Sequence, residues 1–511
     1  MKIVAWHPRR ELTLGKVTRV SSVLERRDST TPRNQRTKSR LLLIGGVSFA
    51  IALAGWLIYA FTHAAPYTVD PADLQVYDNG GLIMRHVSPP YDARYLYPLY
   101  EWPKSKVALK FTYTPFAAVF FAAISYIPWS ILPRLSQAAN LLLLIATAWL
   151  TAGVLGNHPV GRPPVPPAGN HPVGSAPVPP AANHPVGRGL GWRTRLGGAL
   201  LGSAAALLTE PVFRTMYLGQ VNLLLMALVI GDLAQPDGRR LKGMAVGIAA
   251  GIKLIPLVFI PYLLLTRRFR AAAMAAGTFA GTVVLGFLVV PHDSSDWWLH
   301  GLFFNDGRTG LVAWGGNQSL RSILTRLAGS IHGATVEWVS VALLAAVIGL
   351  TSAVLLDRAG HAMLAILATA LVGLLDSPIS WDHHWVWILP GMMAAAHYAW
   401  RAWQVGRRNA GRWCAALVGA LLLIFAAWPG ALWSVPVTGS GDFTNGLISA
   451  GPNSRVTQYA LYGDNPGFLE YHWRGLQNLS GNAFVLAGLA LLALLAVVAV
   501  RTLRGAADRH A

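Results

Sequence analysis

The chain has 511 residues, of which 53% are hydrophobic and only 13% are charged, and it contains 19 tryptophans. A soluble protein of this length needs more charge to cover its surface. The composition therefore excludes a soluble enzyme and predicts a membrane protein, because several apolar runs are long enough to cross a hydrocarbon core of about 30 Å.

The formal charge of +20 does not indicate nucleic-acid binding, because the basic residues follow the apolar runs. Lysines and arginines form short blocks between those runs, at Arg33–Arg40, Arg239–Lys242, Arg267–Arg270, Arg401–Arg412 and Arg501–Arg509. Blocks of this kind lie on the cytoplasmic side of a membrane. The single cysteine, Cys414, excludes an internal disulfide and a metal site built from several cysteines.

In chain order, the first apolar run, Leu41–Thr62, is longer than a signal-peptide core, so we predict an uncleaved anchor. Phe111–Leu132 contains prolines and predicts short interfacial or re-entrant helices. Met244–Thr266 is flanked by basic residues at both ends, which favours two short helices that meet near Lys253–Pro256. With the other apolar runs, the sequence predicts an all-α polytopic protein with about twelve transmembrane helices.

Residues 157–188 have a different character from the rest of the chain. NHPVG occurs at Asn157, Asn170 and Asn183, with stretches of proline, valine and alanine between the copies. Period and proline content favour extended polyproline II, so we predict a linker-like insertion. Its three histidines are spaced as a duplicated repeat, which argues against a metal site.

The chain thereby divides into units with distinct expectations. These are a basic cytoplasmic arm, expected to be disordered (1–40); the first spans with an outer loop and a candidate catalytic aspartate (41–156); the NHPVG insertion (157–188); a membrane core (189–433); a second outer loop (434–478); and a last span with a cytoplasmic tail (479–511).

When the basic blocks are placed in the cytoplasm, the other charged and imidazole-bearing residues collect on the outer face. They are Asp70, Asp73, Asp78, Arg85, His86, Arg94, Glu210, His292, Asp293, Arg308, Asn317, Gln318, Arg321, Asp382, His383 and His384. Ionisable groups beside lipid-embedded helices are costly, so a set that converges on one face predicts a functional site.

The sequence DLQVY (Asp73–Tyr77) follows the first span directly. Asp73 could act as a general base that takes a proton from an attacking hydroxyl. It could equally cap a short interfacial helix. On the residues alone, Asp70 and Asp78 stay open as rival bases.

The sequence WDHHW (Trp381–Trp385) combines imidazoles with indoles. His383 and His384 suit hydrogen bonding to a phosphate, and the two tryptophans suit stacking on a sugar. The alternative is an aromatic belt at the membrane interface, with the histidines as polar tips. Adjacent side chains on a helix point about 100° apart, which disfavours a metal ion held by both histidines.

Two further groups of polar residues are candidate substrate contacts. GGNQS (315–319), with Arg321 nearby, offers donors that could cradle a phosphate, although an ordinary loop that enters a helix explains the same pattern. Lys253 and Gln220 lie within or beside apolar runs. Lys253 could snorkel, support the break in its helix or meet an anionic phosphate.

An ordered set of motifs resembles one family, the actinobacterial polyprenol-phosphate-mannose-dependent mannosyltransferases of glycosyltransferase family 87, in the GT-C superfamily. The motifs are DLQVY with Gly80-Gly81, FTYTPFAAVFF (111–121), LGQVNLLLMALV (218–229), GIKLIPLVFIPYLLLTRR (251–268), GNQSL (316–320) and SPISWDHHWVW (377–387). Thr114 stands where the family usually has a proline, and the NHPVG insertion and the basic arm also depart from its pattern.

The resemblance implies a GT-C fold in the plasma membrane, with catalysis on the periplasmic face and without a nucleotide-sugar. It implies transfer of mannose from polyprenyl-phosphate-mannose to a mannosylated lipid, such as a phosphatidylinositol mannoside or lipomannan and lipoarabinomannan. The expected linkage is α-1,2, formed with inversion, and Asp73 is the implied base. The resemblance implies no cofactor and leaves a divalent metal open.

In this chemistry, His383 or His384, together with Arg321 and Lys253, would stabilise the charge on the departing phosphate. Trp381 and Trp385 would stack on sugar faces, and Asn317, Gln318 and Gln220 complete the predicted substrate contacts. Two other classes stay open. A lipid or solute transporter or flippase would also contain internal charges and a broken helix, and a GT-C arabinofuranosyltransferase would share the type of donor.

Overall fold

The structure is a computed structural model that describes residues 32–62, 71–85, 99–100, 110–156, 191–305, 308, 312–330, 334–426, 473 and 475–507. The first part of the basic arm, the NHPVG insertion and most of the loop 434–478 lie outside the described residues, as do Asp70, His86 and Arg94. Within the described ranges the regular structure is helical, as predicted, and one isolated antiparallel bridge joins Asn317 to Trp381.

The helices are numbered here in chain order. They are α1 (Pro32–Thr62), α2 (Ala72–Met84), α3 (Pro115–Phe121), α4 (Leu132–Gly156), α5 (Trp192–Leu207), α6 (Glu210–Leu218), α7 (Asn222–Leu233), α8 (Met244–Ile252), α9 (Phe259–Leu265), α10 (Phe269–Val289), α11 (Pro291–Trp298), α12 (Leu320–Ala328), α13 (Thr335–Arg358), α14 (Ala362–Asp376), α15 (Ile388–Gln404), α16 (Arg408–Ala426), α17 (Leu476–Gly481) and α18 (Ala483–Ala507). Short 3₁₀ helices cover Ile124–Tyr126, Ile255–Val258, Leu302–Phe304 and Asp382–Trp387.

Several of these helices are long and apolar enough to cross a membrane. Among the described residues there are six, within α1, α4, α10, α13, α16 and α18, and a seventh if α5 and α6, bent by 80°, form one span. Other apolar helices, such as α7 and α14, are shorter. The chain is therefore a multi-pass membrane protein, but the predicted count of about twelve spans is not confirmed, because several predicted spans are short helices.

The break predicted near Lys253 is present. Helix α8 ends at Ile252, Lys253 is extended, and the chain continues through the 3₁₀ helix Ile255–Val258 into α9. A helix of nine residues is about 14 Å long, so α8 alone reaches only about half way through a hydrocarbon core of about 30 Å. Lys253 therefore lies where the two short helices meet, at the end of the pair that reaches into the hydrocarbon core.

The opposite end of this pair is held by ion pairs between neighbouring helix connections. The Nζ of Lys242 lies 2.7 Å from Asp237 Oδ1, and Arg268 contacts both Asp237, at 3.1 Å, and Asp357, at 3.0 Å. Asp237 and Lys242 lie in the connection between α7 and α8, and Arg268 lies between α9 and α10. Asp357 lies in the last turn of α13. The shared network places those connections at one basic end of the molecule, away from Lys253.

Helix α2 is seated closely on the segment that contains α3. A Cβ built on Gly80 would lie 2.6 Å from Phe111 Cε2, and one built on Gly81 would lie 2.7 Å from the carbonyl oxygen of Phe121. Both distances are below normal contact, so a larger residue at either position would push the two elements apart. This packing fixes the position of Asp73 in the first turn of α2.

Candidate active site

Asp73 lies in the first turn of α2 and is partly exposed. Its carboxylate interacts electrostatically with Lys253, Tyr77 and Tyr113, which belong to three separate segments of the chain. Among the described residues, no hydrogen bond or ion pair occupies this carboxylate. It is therefore available to accept a proton.

The rival aspartate on the same helix has different surroundings. Asp78 interacts with Arg85, whose guanidinium donates to the carbonyl oxygen of Ser125 at 2.6 Å. Burial raises the pKa of the Asp78 carboxyl to about 6, although Arg85 opposes the shift. Asp78 thus belongs to the packing of α2, while Asp73 belongs to the cluster around Lys253.

A cluster of hydroxyl groups lies beneath Asp73. The hydroxyls of Tyr77 and Tyr113 are 2.8 Å apart, and Tyr77 donates to Gln220 Oε1 at 2.7 Å. Gly219, with φ of 70°, adopts the left-handed conformation that ends α6 and turns the chain toward Gln220. Gln220 therefore lies beside both tyrosines, whose hydroxyls bond to its amide oxygen, and its contact with substrate stays a prediction.

Lys253 joins this cluster to the histidine segment. Its Nζ lies 2.8 Å from His384 Nε2 and donates to Asn222 Oδ1 at 3.2 Å. An ammonium group has only donors, so Nε2 of His384 accepts and the proton of that ring lies on Nδ1. Nδ1 is buried and has no hydrogen-bond partner among the described residues.

The polar groups of Lys253, His384 and Asn222 form the head of an apolar cleft. Its remaining walls include Met226, Phe259 and Trp387. Ligand sites are commonly apolar clefts with a few convergent polar groups. The cleft therefore combines an apolar lining with a donor head.

The departure at Thr114 is integrated into this site. The Thr114 hydroxyl caps α3 by accepting from the Ala117 N–H at 3.2 Å, and it donates to the carbonyl oxygen of Gly251. Gly251 lies two residues before Lys253. The threonine thus ties α3 to the end of α8, which is a contact that a proline could not make.

His383 belongs to a second group of charged residues, next to the cluster around Lys253. Its Nδ1 lies 2.9 Å from Asp382 Oδ1, and Asp382 Oδ2 lies 3.3 Å from Arg214 Nε. Burial acts to raise the pKa of Asp382, but Arg214 and the His383 hydrogen bonds outweigh it and hold that pKa below its ordinary value. The Asp382 carboxylate is therefore a buried anion.

Several predicted contacts lie outside this cluster. The Asn317 amide donates to the carbonyl oxygens of Val312 and Pro378 and accepts from Ser380 N. The Arg321 guanidinium lies 5.0 Å from the Trp338 ring, and the Trp381 ring lies 5.0 Å from the Trp314 ring. Backbone groups thus occupy the Asn317 amide, and substrate contacts by Asn317, Arg321 and Trp381 stay predictions.

Gln318 and Trp385 are likewise engaged by the protein. Gln318 Nε2 donates to the carbonyl oxygens of Gly315 and Gly481, and its Oε1 accepts from the N–H groups of Phe484 and Val485. Trp385 is 2% exposed and packs near Phe425 and Phe484, so its ring is enclosed by protein rather than open to a sugar. Gln318 ties the 312–319 loop to the start of α18.

This arrangement predicts that Gln318→Ala acts on stability. The substitution leaves buried backbone groups unpaired, at about 1–3 kcal/mol for each group. We expect a clearly lower midpoint of thermal unfolding in detergent, with the turnover of the remaining folded enzyme close to wild type. A normal midpoint together with weakened substrate binding would instead restore the role predicted from the sequence.

Sequence reasoning did not single out the hydroxyls of Tyr77 and Tyr113, or Thr215, which donates to the carbonyl oxygen of His383 at 3.1 Å. The two tyrosines lie within the DLQVY and FTYTPF motifs, which was the available signal. In the described ranges, no group of three or more histidine, cysteine, aspartate or glutamate side chains is placed to hold a metal ion.

Comparison with known proteins identifies the family of the chain. The model of glycosyltransferase family 87 matches residues 111–378. A phosphatidylinositol mannoside mannosyltransferase of Mycobacterium tuberculosis is 32% identical over 388 residues, which are 75% of this chain and 80% of the relative. The chain belongs to glycosyltransferase family 87.

Other members of family 87 give the same result. A phosphatidylinositol pentamannoside mannosyltransferase of M. tuberculosis is 30% identical over 71% of this chain and 73% of its own length. Its counterpart in Mycolicibacterium smegmatis is 28% identical over 80% of this chain and 89% of its own length. All three relatives are named as polyprenol-phosphate-mannose-dependent α-(1-2) enzymes. No solved structure matches the chain significantly.

The family resemblance read from the ordered motifs is thus confirmed, and the chain is a membrane glycosyltransferase of family 87. The matched region includes α3, α6, α7 and the Lys253 break, which supply most of the cluster. His383 lies five residues after the matched region, whereas Asp73 lies 38 residues before it.

Proposed function

We propose that this family 87 enzyme transfers mannose from polyprenyl-phosphate-mannose to a phosphatidylinositol mannoside and forms an α-(1→2) linkage with inversion. The observation that carries the proposal is the position of Lys253 at the head of an apolar cleft, with its Nζ 2.8 Å from His384 and within electrostatic range of Asp73. The names of the relatives specify the donor, the acceptor class and the linkage.

The donor lipid matches the two parts of the cleft. A polyprenyl chain is apolar and would lie along Met226, Phe259 and Trp387, while its phosphate would meet Lys253 and His384. The Nδ1–H of His384 and the ammonium of Lys253 are donors, and phosphate oxygens are acceptors. Because His384 and Asn222 are buried, the charge of a phosphate beside them would interact more strongly than at an open surface.

The acceptor side of the reaction belongs to Asp73. Its carboxylate takes the proton of the acceptor hydroxyl as that oxygen bonds to the anomeric carbon. The bond from the anomeric carbon to the phosphate oxygen breaks on the opposite face, and its electron pair leaves with the polyprenyl phosphate. The attack from the opposite face inverts the anomeric centre, so a β-linked donor gives an α product.

The basic end of the molecule supports the proposed orientation in the membrane. Lys242, Arg268 and their neighbours would face the cytoplasm, as basic connections do. Asp73 and the 382–384 segment would then open toward the periplasmic side of the plasma membrane. This sidedness suits two lipid substrates whose sugars are displayed outside the cell.

The experiment compares donors in membranes that contain the protein. Radiolabelled polyprenyl-phosphate-mannose, polyprenyl-phosphate-arabinofuranose and GDP-mannose are each supplied with phosphatidylinositol mannosides of different length, and labelled glycolipids are separated. We expect label to pass only from polyprenyl-phosphate-mannose, and a control membrane without the protein to give none.

Three outcomes would contradict the proposal. Transfer from the arabinofuranose donor alone would show a related GT-C enzyme with another sugar specificity. Transfer from GDP-mannose, with the lipid donor inactive, would remove the role of the cleft. Movement of labelled lipid between leaflets without any new glycolipid would favour the transporter alternative.

A further inference from the structure

We propose that Asp382, held by Arg214, is a positioning residue that orients His383 so that its Nε2 meets the departing phosphate. The inference rests on the proposed function, because it assumes a polyprenyl-phosphate leaving group. It concerns the ion pair of Asp382 with Arg214, next to His383; the sequence analysis placed Asp382 on the outer face without a role.

The orientation of His383 is fixed at both its backbone and its ring. Its carbonyl oxygen accepts from Asn222 Nδ2 at 2.8 Å and from the Thr215 hydroxyl at 3.1 Å. Its backbone N–H and its ring Nδ1 both contact Asp382 Oδ1, at 2.5 and 2.9 Å. A carboxylate accepts hydrogen bonds, so Nδ1 carries a proton and points at Asp382.

The second ring nitrogen is left over for a ligand. His383 is 6% exposed, and its Nε2 is buried without a hydrogen-bond partner among the described residues. A buried polar atom without a partner is costly, which indicates that another molecule pairs with it during function. The His383 and His384 rings are 4.8 Å apart, so this atom lies near the proposed phosphate head.

Acidic and basic groups surround the His383 ring. Asp382 contacts the ring directly, and Glu210, which is fully buried, interacts with both Asp382 and Arg214. With Nδ1 facing Asp382, Nε2 is the ring nitrogen left to meet a phosphate, and a ring protonated there would donate to a phosphate oxygen. Arg214 is buried and forms an ion pair with Asp382. It therefore holds in place the carboxylate that orients the His383 ring.

The test is a double-mutant cycle on the transfer reaction. Asp382→Asn should lower kcat by about 10–100-fold, as loss of an orienting carboxylate does at other histidines, with little change in donor KM. His383→Ala should lower kcat at least as much. If Asp382 acts through His383, Asp382→Asn should cost almost nothing further in the His383→Ala background.

Rates are measured per folded molecule, with the folded fraction taken from thermal unfolding in detergent. Arg214→Gln provides a second variant. The decrease in kcat that it causes should also disappear in the His383→Ala background. The matched control is Asp296→Asn, because Asp296 also lies 2.9 Å from a histidine, His300, but that pair is exposed. The control should transfer at the wild-type rate.

Three results would overturn the inference while leaving the proposed function intact. Losses that multiply independently in the double variant would show that Asp382 does not act through His383. A wild-type kcat in folded Asp382→Asn would remove its role. So would a loss of total activity that is explained entirely by a smaller folded fraction. If the wild-type protein transfers no mannose, the proposed function itself has failed.

Discussion

Asp73→Asn is expected to lower mannose transfer by about 10²–10⁴-fold, because general-base catalysis contributes that much when a positioned carboxylate is lost. The substitution keeps the size of the side chain and removes its capacity to take a proton. Asp73 is partly exposed and bonded to no described residue, so α2 should remain seated and the folded yield should be unchanged. Initial rates with saturating donor and acceptor measure the loss.

Asp78→Asn is the matched control for this prediction. Asp78 lies on the same helix and is half-buried, but it interacts with Arg85 rather than with Lys253. Its replacement should change transfer little. If Asp78→Asn were the inactive variant and Asp73→Asn retained the wild-type rate, the base would have to be reassigned to the other face of α2.

Lys253→Met is the prediction with the second largest effect. Methionine fills a similar space without the ammonium group, so the apolar cleft keeps its lining while its head loses the positive charge. Removal of one group that stabilises developing charge costs about 10²–10³-fold in kcat. We also expect weaker binding of the product polyprenyl phosphate, measured directly by displacement of a labelled analogue.

Lys242→Met is the control that separates loss of the Lys253 charge from loss of fold stability. Lys242 is also buried, but it pairs with Asp237 at the basic end of the molecule. Its replacement should lower the midpoint of thermal unfolding and leave the turnover of each folded molecule unchanged. Equal losses of turnover in the two variants would mean that Lys253 supports the fold rather than the phosphate.

The break at Lys253 could be predicted from the sequence because its physical cause is local. One apolar run with basic residues at both ends cannot cross the membrane once and keep both ends in the cytoplasm. Two short helices satisfy that condition, and Pro256 lies where the chain turns back. The short helix at Pro115 was also predictable from a local cause, the prolines of residues 111–132.

The number of spans and the roles of the loop amides could not be predicted in this way. Hydropathy does not separate a span from a shorter buried helix, so α7 and α14 were assigned as spans. Asn317 and Gln318 carry both donors and acceptors, which suit a sugar and a backbone equally well. Only the three-dimensional packing shows that backbone groups occupy them.

The chemical site emerged from residues far apart in the chain. Asp73 and Lys253 were single outliers in the sequence, and nothing in their spacing indicated that their charges interact. The family motifs supplied Asp73, and the structure added the partners of each histidine. Asp382 was predicted only as a member of the outer-face set, and Arg214 was not singled out, because an ion pair between distant segments has no local pattern.

Product stoichiometry in a purified system tests the central claim most directly. The protein is reconstituted with one polyprenyl-phosphate-mannose and one phosphatidylinositol mannoside, and both lipid products are quantified by mass spectrometry, with the linkage determined by NMR. We predict one polyprenyl phosphate released for each acceptor that gains one α-(1→2)-linked mannose, with neither product formed by Asp73→Asn. Release of polyprenyl phosphate without a mannosylated lipid, or equal product from Asp73→Asn, would contradict this account.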